Sequence, residues 1–140
     1  MLPLRLVVDT NVVISAAMKP AGLQRTVLTL CLTKPARLYV FRPILSEYTD
    51  VLARAELLIP KGLRRQLLQL IRNRSYMVAP VRRLAVALDP DDNIFVECAD
   101  AGRADYLITG NQRHFPRFWK QTKVITSQEF VSLVAPHLMR

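Results

Sequence analysis

Apolar positions follow two rhythms along this chain: short, nearly continuous runs of branched residues, and longer stretches where they recur every three or four positions. The first run, Leu4-Arg5-Leu6-Val7-Val8, is what a strand buried on both faces of a parallel sheet requires. It stops at Asp9-Thr10-Asn11, and the helical stretch that follows breaks at Pro20-Ala21-Gly22. Leu23, Val27, Leu30 and Cys31 then recur at helical spacing until Pro35 ends the pattern. Leu38-Tyr39-Val40-Phe41 reads as a second strand. Pro43 suits the first turn of the next helix, whose apolar face is Ile44, Leu45, Tyr48, Val51 and Leu52, with Glu47 inside it.

Residues 61–74 predict an amphipathic helix with Leu63, Leu67, Leu70 and Ile71 inward and Arg64, Arg65, Arg72 and Arg74 outward. A strand is expected somewhere between Tyr76 and Val86. After Asp89-Pro90-Asp91-Asp92, residues 93–101 place Ile94, Phe95, Cys98 and Ala99 on one helical face, and Gly102 is a natural stop. Tyr106-Leu107-Ile108-Thr109 and Val124-Ile125 read as strands, the latter leading through Thr126 or Ser127 as N-cap into a helix over 128–134. This alternation argues for an α/β fold with a parallel sheet, expected as a single domain over 1–140 without internal repeat or linker.

Composition narrows the picture. Hydrophobic residues make up 51% and charged residues 22%, with only 4 Gly, which is a folded globule and not a disordered chain. Lys and Arg total 20 against 11 acids, a formal charge of +9, so the partner expected is a polyanion or an acidic protein. A membrane surface is the weakest of these choices: the early uncharged run from Thr10 to Met18 is too short to span a bilayer, and Arg5 and Asp9 interrupt anything like a leader peptide. A cytoplasmic protein with reduced, buried thiols at Cys31 and Cys98 is expected. His114 and His137 are the only imidazoles, and they form no zinc-ligand spacing.

Candidate chemistry follows from where the acids fall. Sites in open parallel sheets form at the carboxyl ends of strands, near the point where strand order reverses. Asp9 follows the first strand directly, and Gly110-Asn111 follows the strand ending in Thr109, so the two ends share a crevice if those strands are neighbours. Asp89, Asp91 and Asp92 fall within four positions at a helix start. Helix capping, typically ~1 kcal/mol each, explains every one of these acids taken alone, and Glu47 is explained as a solvent-reaching edge residue. A single functional account covers all three places: the carboxylates bind a divalent cation, which reverses their mutual repulsion. Hard oxygen donors without His or Cys point to Mg²⁺ or Mn²⁺, and such a cation suits phosphodiester hydrolysis by activating water and offsetting charge on the leaving oxygen. A phosphatase pocket fits less well, because Asp9-Thr10-Asn11 lacks paired aspartates.

Four fragments, in this order and spacing, resemble PIN-domain ribonucleases, especially the VapC-like toxins of bacterial type II toxin-antitoxin systems. They are Val7-Val8-Asp9-Thr10-Asn11-Val12, Leu45-Ser46-Glu47-Tyr48, Asp89-Pro90-Asp91-Asp92-Asn93, and Ala104-Asp105-Tyr106-Leu107-Ile108-Thr109-Gly110-Asn111 with His114-Phe115. The resemblance implies a three-layer α/β/α sandwich with a central parallel sheet of about five strands. It implies that Asp9, Glu47 and Asp92 are the catalytic, metal-binding acids, with Asn111 standing where many relatives carry a fourth acid. Asn11 and Thr109 are expected to orient these carboxylates, and Asp91 and Asp105 are nearby acids able to support them, although Asp105 precedes its strand and so reads as structural. The implied function is a Mg²⁺- or Mn²⁺-dependent endoribonuclease, dimeric and neutralised by a cognate antitoxin. The alternative is a PIN-fold module, inactive through the change at Asn111, that binds RNA or protein. Arg113, Arg117 and Lys120, interleaved with aromatics, could track RNA, while Phe115 and Trp119 could equally pack beneath the sheet edge.

Overall fold

The computed structural model describes residues 3–139. Its strands are β1 (Arg5–Val8), β2 (Arg37–Val40), β3 (Tyr76–Met77), β4 (Tyr106–Ile108), β5 (Phe118–Trp119) and β6 (Thr122–Ile125). The helices are α1 (Thr10–Met18), α2 (Leu23–Cys31), α3 (Arg42–Leu52), α4 (Lys61–Arg74), α5 (Asn93–Gly102) and α6 (Ser127–Val134). The sheet order is β3-β2-β1-β4-β6-β5. Neighbours are parallel from β3 through β6, and β5 alone runs antiparallel, against β6. Helices flank this mostly parallel sheet in the expected α/β/α layering: α1, α2 and α6 pack on one another, and α5 lies across β1, β2 and β4.

The central strands carry the core because both their faces are covered. Leu6, Val7 and Val8 of β1 have no exposed surface, as continuous apolar runs require. In α3 the buried stripe is Ile44, Tyr48, Val51 and Leu52, and in α5 it is Phe95, Val96, Cys98 and Ala99. Both cysteines are free and buried, and burial pushes their thiols well above the usual range.

Several expectations need correction. The buried stripe of α4 is Leu67, Leu68 and Ile71, with Leu63 outward, a rotation that short-range periodicity leaves open. The strand expected somewhere between Tyr76 and Val86 is there, as the two residues Tyr76–Met77. Beyond it the chain crosses α5, held by hydrogen bonds from the Leu84 N–H to Glu97 and from the Val86 and Ala87 N–H groups to Asn93 Oδ1. The antiparallel β5 is added to the five parallel strands; its two residues are too few to leave a period. Gly102 is the last helical residue, and the left-handed position passes to Arg103 (φ 50°). Glycine is needed there for packing, since a Cβ would lie 2.5 Å from the Tyr39 ring.

Candidate active site

Strand order reverses between β1 and β4, so the crevice at their carboxyl ends is the switch point of the sheet. Asp9 leaves β1 there, its backbone N–H donating to the Ile108 carbonyl of β4 (2.9 Å). It occupies the N-cap position of α1 but its side chain caps nothing. Instead the Thr109 hydroxyl donates to Asp9 Oδ2 (2.7 Å), and the Asn111 N–H donates to the Thr109 oxygen (2.9 Å). Asn11 closes the same corner by accepting from the Gly110 N–H (3.3 Å).

The second carboxylate comes from α3. The Thr10 hydroxyl donates to Glu47 Oε2, which ties α3 to the start of α1. One residue further on, the buried Tyr48 hydroxyl donates to the Val8 carbonyl, fixing α3 against the last residue of β1. The third carboxylate, Asp92, stands at the entry to α5. Asp89 does the capping in that segment by accepting from the Asp91 N–H (3.0 Å), which leaves the Asp92 side chain without a capping bond.

The charges of these groups feel one another. Burial pushes the Asp9 carboxyl up to about 6; the Thr109 hydrogen bond opposes this, and the Asp92 and Glu47 charges add to it. Glu47 is also raised, by burial first and then by Asp92 and Asp91, against the Thr10 hydrogen bond. Asp92 is raised by burial and by Asp89, with His114 opposing. The Asp92 charge thus helps hold both Asp9 and Glu47 above their ordinary pKa, a repulsion between separate segments that a cation would reverse.

The donors are hard oxygens, which suit Mg²⁺ or Mn²⁺. Among the described residues no three His, Cys, Asp or Glu side chains stand close enough to enclose an ion. Mg²⁺ does not need such an enclosure, since it can take one or two carboxylates directly and reach other groups through retained waters.

Other expected residues fall as follows. Asp91 is exposed and acts on Glu47 through its charge. Asn111 is exposed at the mouth of the crevice. Asp105 lies at the opposite, amino end of β4, where its carboxylate accepts from the Arg5 N–H (2.8 Å), so it takes no part in the cluster. Lys120 is likewise at the amino end of β6, in the turn from β5. Its Nζ is 2.9 Å from Asp100, which also accepts from Trp119 and pairs with Arg82. That network holds the Asp100 carboxyl well below the usual range and keeps Lys120 at the end of the sheet opposite the acids. Phe115 is buried and Trp119 half-buried, so the packing reading holds for both. Arg113 and Arg117 line a groove with Gln112 and Glu129 beyond β6.

Thr10 and Tyr48 escaped sequence reading as contributors, and His114 stood in the last of the resembling fragments without an expected role in the site. His114 Nδ1 lies 3.6 Å from Asp92 Oδ2, in a turn braced by the Leu88 N–H donating to the His114 carbonyl (2.7 Å). The signal available for His114 was its place three residues after Asn111, beyond a strand already placed at the site.

Fold and crevice together define an α/β protein with an acidic site at the switch point of its sheet. Residues 5–113 match the PIN domain family, and the chain belongs to it. Among solved structures it is similar to a chain of the crystal structure of VapBC2 from Rickettsia felis bound to a DNA fragment from their promoter. The TM-score is 0.56 over 88% of this chain and 98% of that one, at 14% identity, a likeness of fold. No curated protein sequence matches this chain.

Proposed function

We propose that this chain is a Mg²⁺- or Mn²⁺-dependent endoribonuclease, the cytoplasmic toxin of a toxin-antitoxin pair, dimeric and neutralised by a cognate antitoxin. The observation that carries the reading is the gathering of Asp9, Glu47 and Asp92 at one strand-end crevice, where the Asp92 charge raises the pKa of both Asp9 and Glu47. Membership of the PIN domain family and a basic chain of net charge +9 support it. The fold likeness to a VapBC2 chain supports the toxin and antitoxin part.

When bound, a divalent cation supplies electrophilic help to the phosphate and makes water a better nucleophile. Asp9, Glu47 and Asp92 are the residues that would hold it, with the Asn111 carbonyl oxygen available at the rim. Thr109 keeps Asp9 in one orientation and Thr10 does the same for Glu47, so little reorganisation is needed as charge develops. The excess of cations over acids in the chain suits it to hold RNA phosphates.

The test is incubation of purified protein with a mixed single-stranded RNA pool and Mn²⁺, beside an EDTA control and a correctly folded Asp9→Asn preparation. Cleavage that needs the metal and vanishes in Asp9→Asn is expected. The spacing of the acids and Asn111 favour one second reading, an inactive module that binds RNA or protein. No cleavage with any metal, together with salt-sensitive RNA binding, would select that reading.

A further inference from the structure

Five cations and no acid make up the charged residues of α4, and their spacing is not uniform around the helix. Lys61, Arg64, Arg65, Leu68 and Arg72 fall at positions i, i+3, i+4, i+7 and i+11, one face of a helix and about 16 Å long. Together with Thr49 of α3 they line a groove of about 500 Å³, floored by the buried Leu68, with no acidic residue in its lining. Among the described residues none of these cations has an ion-pair partner; Arg72 reaches only the Thr49 hydroxyl, at 3.5 Å.

Arg64 is more telling. Its Nε is the one buried side-chain nitrogen or oxygen, among the described residues, that lacks a hydrogen-bond partner. A buried donor left unpaired costs about 1–3 kcal/mol, more on a charged group, so its retention in a groove of like charges calls for an acceptor from outside the chain.

We propose that the α3–α4 groove is an exosite for the RNA phosphodiester backbone, separate from the acidic crevice, with Arg64, Arg65 and Arg72 as its phosphate-binding residues. The choice of RNA as the polyanion rests on the ribonuclease reading. Guanidinium groups in a row suit it: each presents paired donors to phosphate oxygens, and a row along a helix face follows a backbone. The contacts carry no sequence information, so the groove adds affinity for any strand long enough to reach it.

The experiment measures binding of a fluorescein-labelled single-stranded RNA of about 20 nucleotides by anisotropy, in EDTA, across a salt series. The proteins are the full chain, Arg64→Gln/Arg65→Gln/Arg72→Gln, the milder Arg65→Gln/Arg72→Gln whose sites are exposed, and Lys19→Gln/Arg83→Gln/Arg103→Gln as a control of equal charge loss. The groove triple is expected to lose about tenfold or more in affinity and to flatten the slope of log K against log salt by about 2, at roughly 0.7 per phosphate contact. The double variant falls between, and the control loses several-fold less than the groove triple. Equal losses in groove and control triples would overturn the exosite, since charge alone would then account for binding. Unchanged RNA binding with lost binding of labelled polyglutamate would overturn it in favour of an acidic protein partner. Groove-dependent RNA binding in a preparation that cleaves nothing with Mn²⁺ would count against the ribonuclease reading and still support the exosite.

Discussion

Asp9 is a carboxylate that the folded chain holds at a cost. Its pKa of about 6, against 3.8 for an ordinary aspartate, corresponds to at most about 3 kcal/mol when the group is ionised. The sign follows from proton binding: the folded state holds this proton more tightly than the unfolded state. The contribution to stability is therefore complete below pH 3.8 and is lost as the pH rises through about 6. Thermal melts in EDTA should show the metal-free protein gaining stability between about pH 7.5 and about pH 5, and Asp9→Asn losing most of that gain. Divalent cation should raise the melting temperature at the higher pH and do little for Asp9→Asn. Asp92→Asn should abolish Mn²⁺-dependent RNA cleavage while leaving the circular dichroism spectrum and unfolding midpoint near wild type, since the Asp92 side chain caps nothing. Asn111→Asp, in a cleavage and metal-titration comparison, should preserve or strengthen metal affinity. The acids themselves were legible in the chain because acids are scarce in it and these fall at a strand end, on a helix face and at a helix start. Thr10 was not: a hydroxyl beside an aspartate at a helix start reads as a cap, and only the approach of α3 turns it toward Glu47.

Elements set how firmly those residues are presented. The Tyr48 hydroxyl on the Val8 carbonyl joins α3 to β1, and Thr109 joins the end of β4 to Asp9, so the crevice is braced by both of the strands that border it and by one helix. On the other side of β1, α5 packs so closely on β2 that Gly102 leaves no room for a methyl group above Tyr39. Gly102→Ala should destabilise the chain by about 1–3 kcal/mol, read as a lower urea midpoint at unchanged slope. Helix and strand identities followed from period, since long amphipathic stretches and branched runs leave a strong pattern. What period could not give was rotation and length: α4 turned Leu68 inward in place of Leu63, β3 took only two residues of the stretch where its ends were open, and β5 appeared where no alternation could exist. Those outcomes depend on which neighbours a face meets, and that is settled by the packed chain.

At the scale of the whole molecule, sheet order decides function. Because β4 lies beside β1 and not beside β2, the residues after two strands distant in sequence meet, and α3 and α5 enter at the same edge. The expectation that Asp9 and Thr109 share a crevice depended on that adjacency, and the sheet supplies it. The position of Lys120 was not legible for the complementary reason: sequence does not say at which end of a sheet a short turn lies, and this one lies opposite the acids, paired with Asp100. Among the described residues no helix is long and apolar enough to cross a membrane. The central claim is that Asp9, Glu47 and Asp92 act as one cation site. Calorimetric titration of Mn²⁺ into metal-free protein, with Glu47→Gln and Thr109→Val beside wild type, tests it most directly. The account predicts saturable binding that weakens about 10–100-fold in Thr109→Val and at least as much in Glu47→Gln. Equal Mn²⁺ affinity in all three proteins would contradict it.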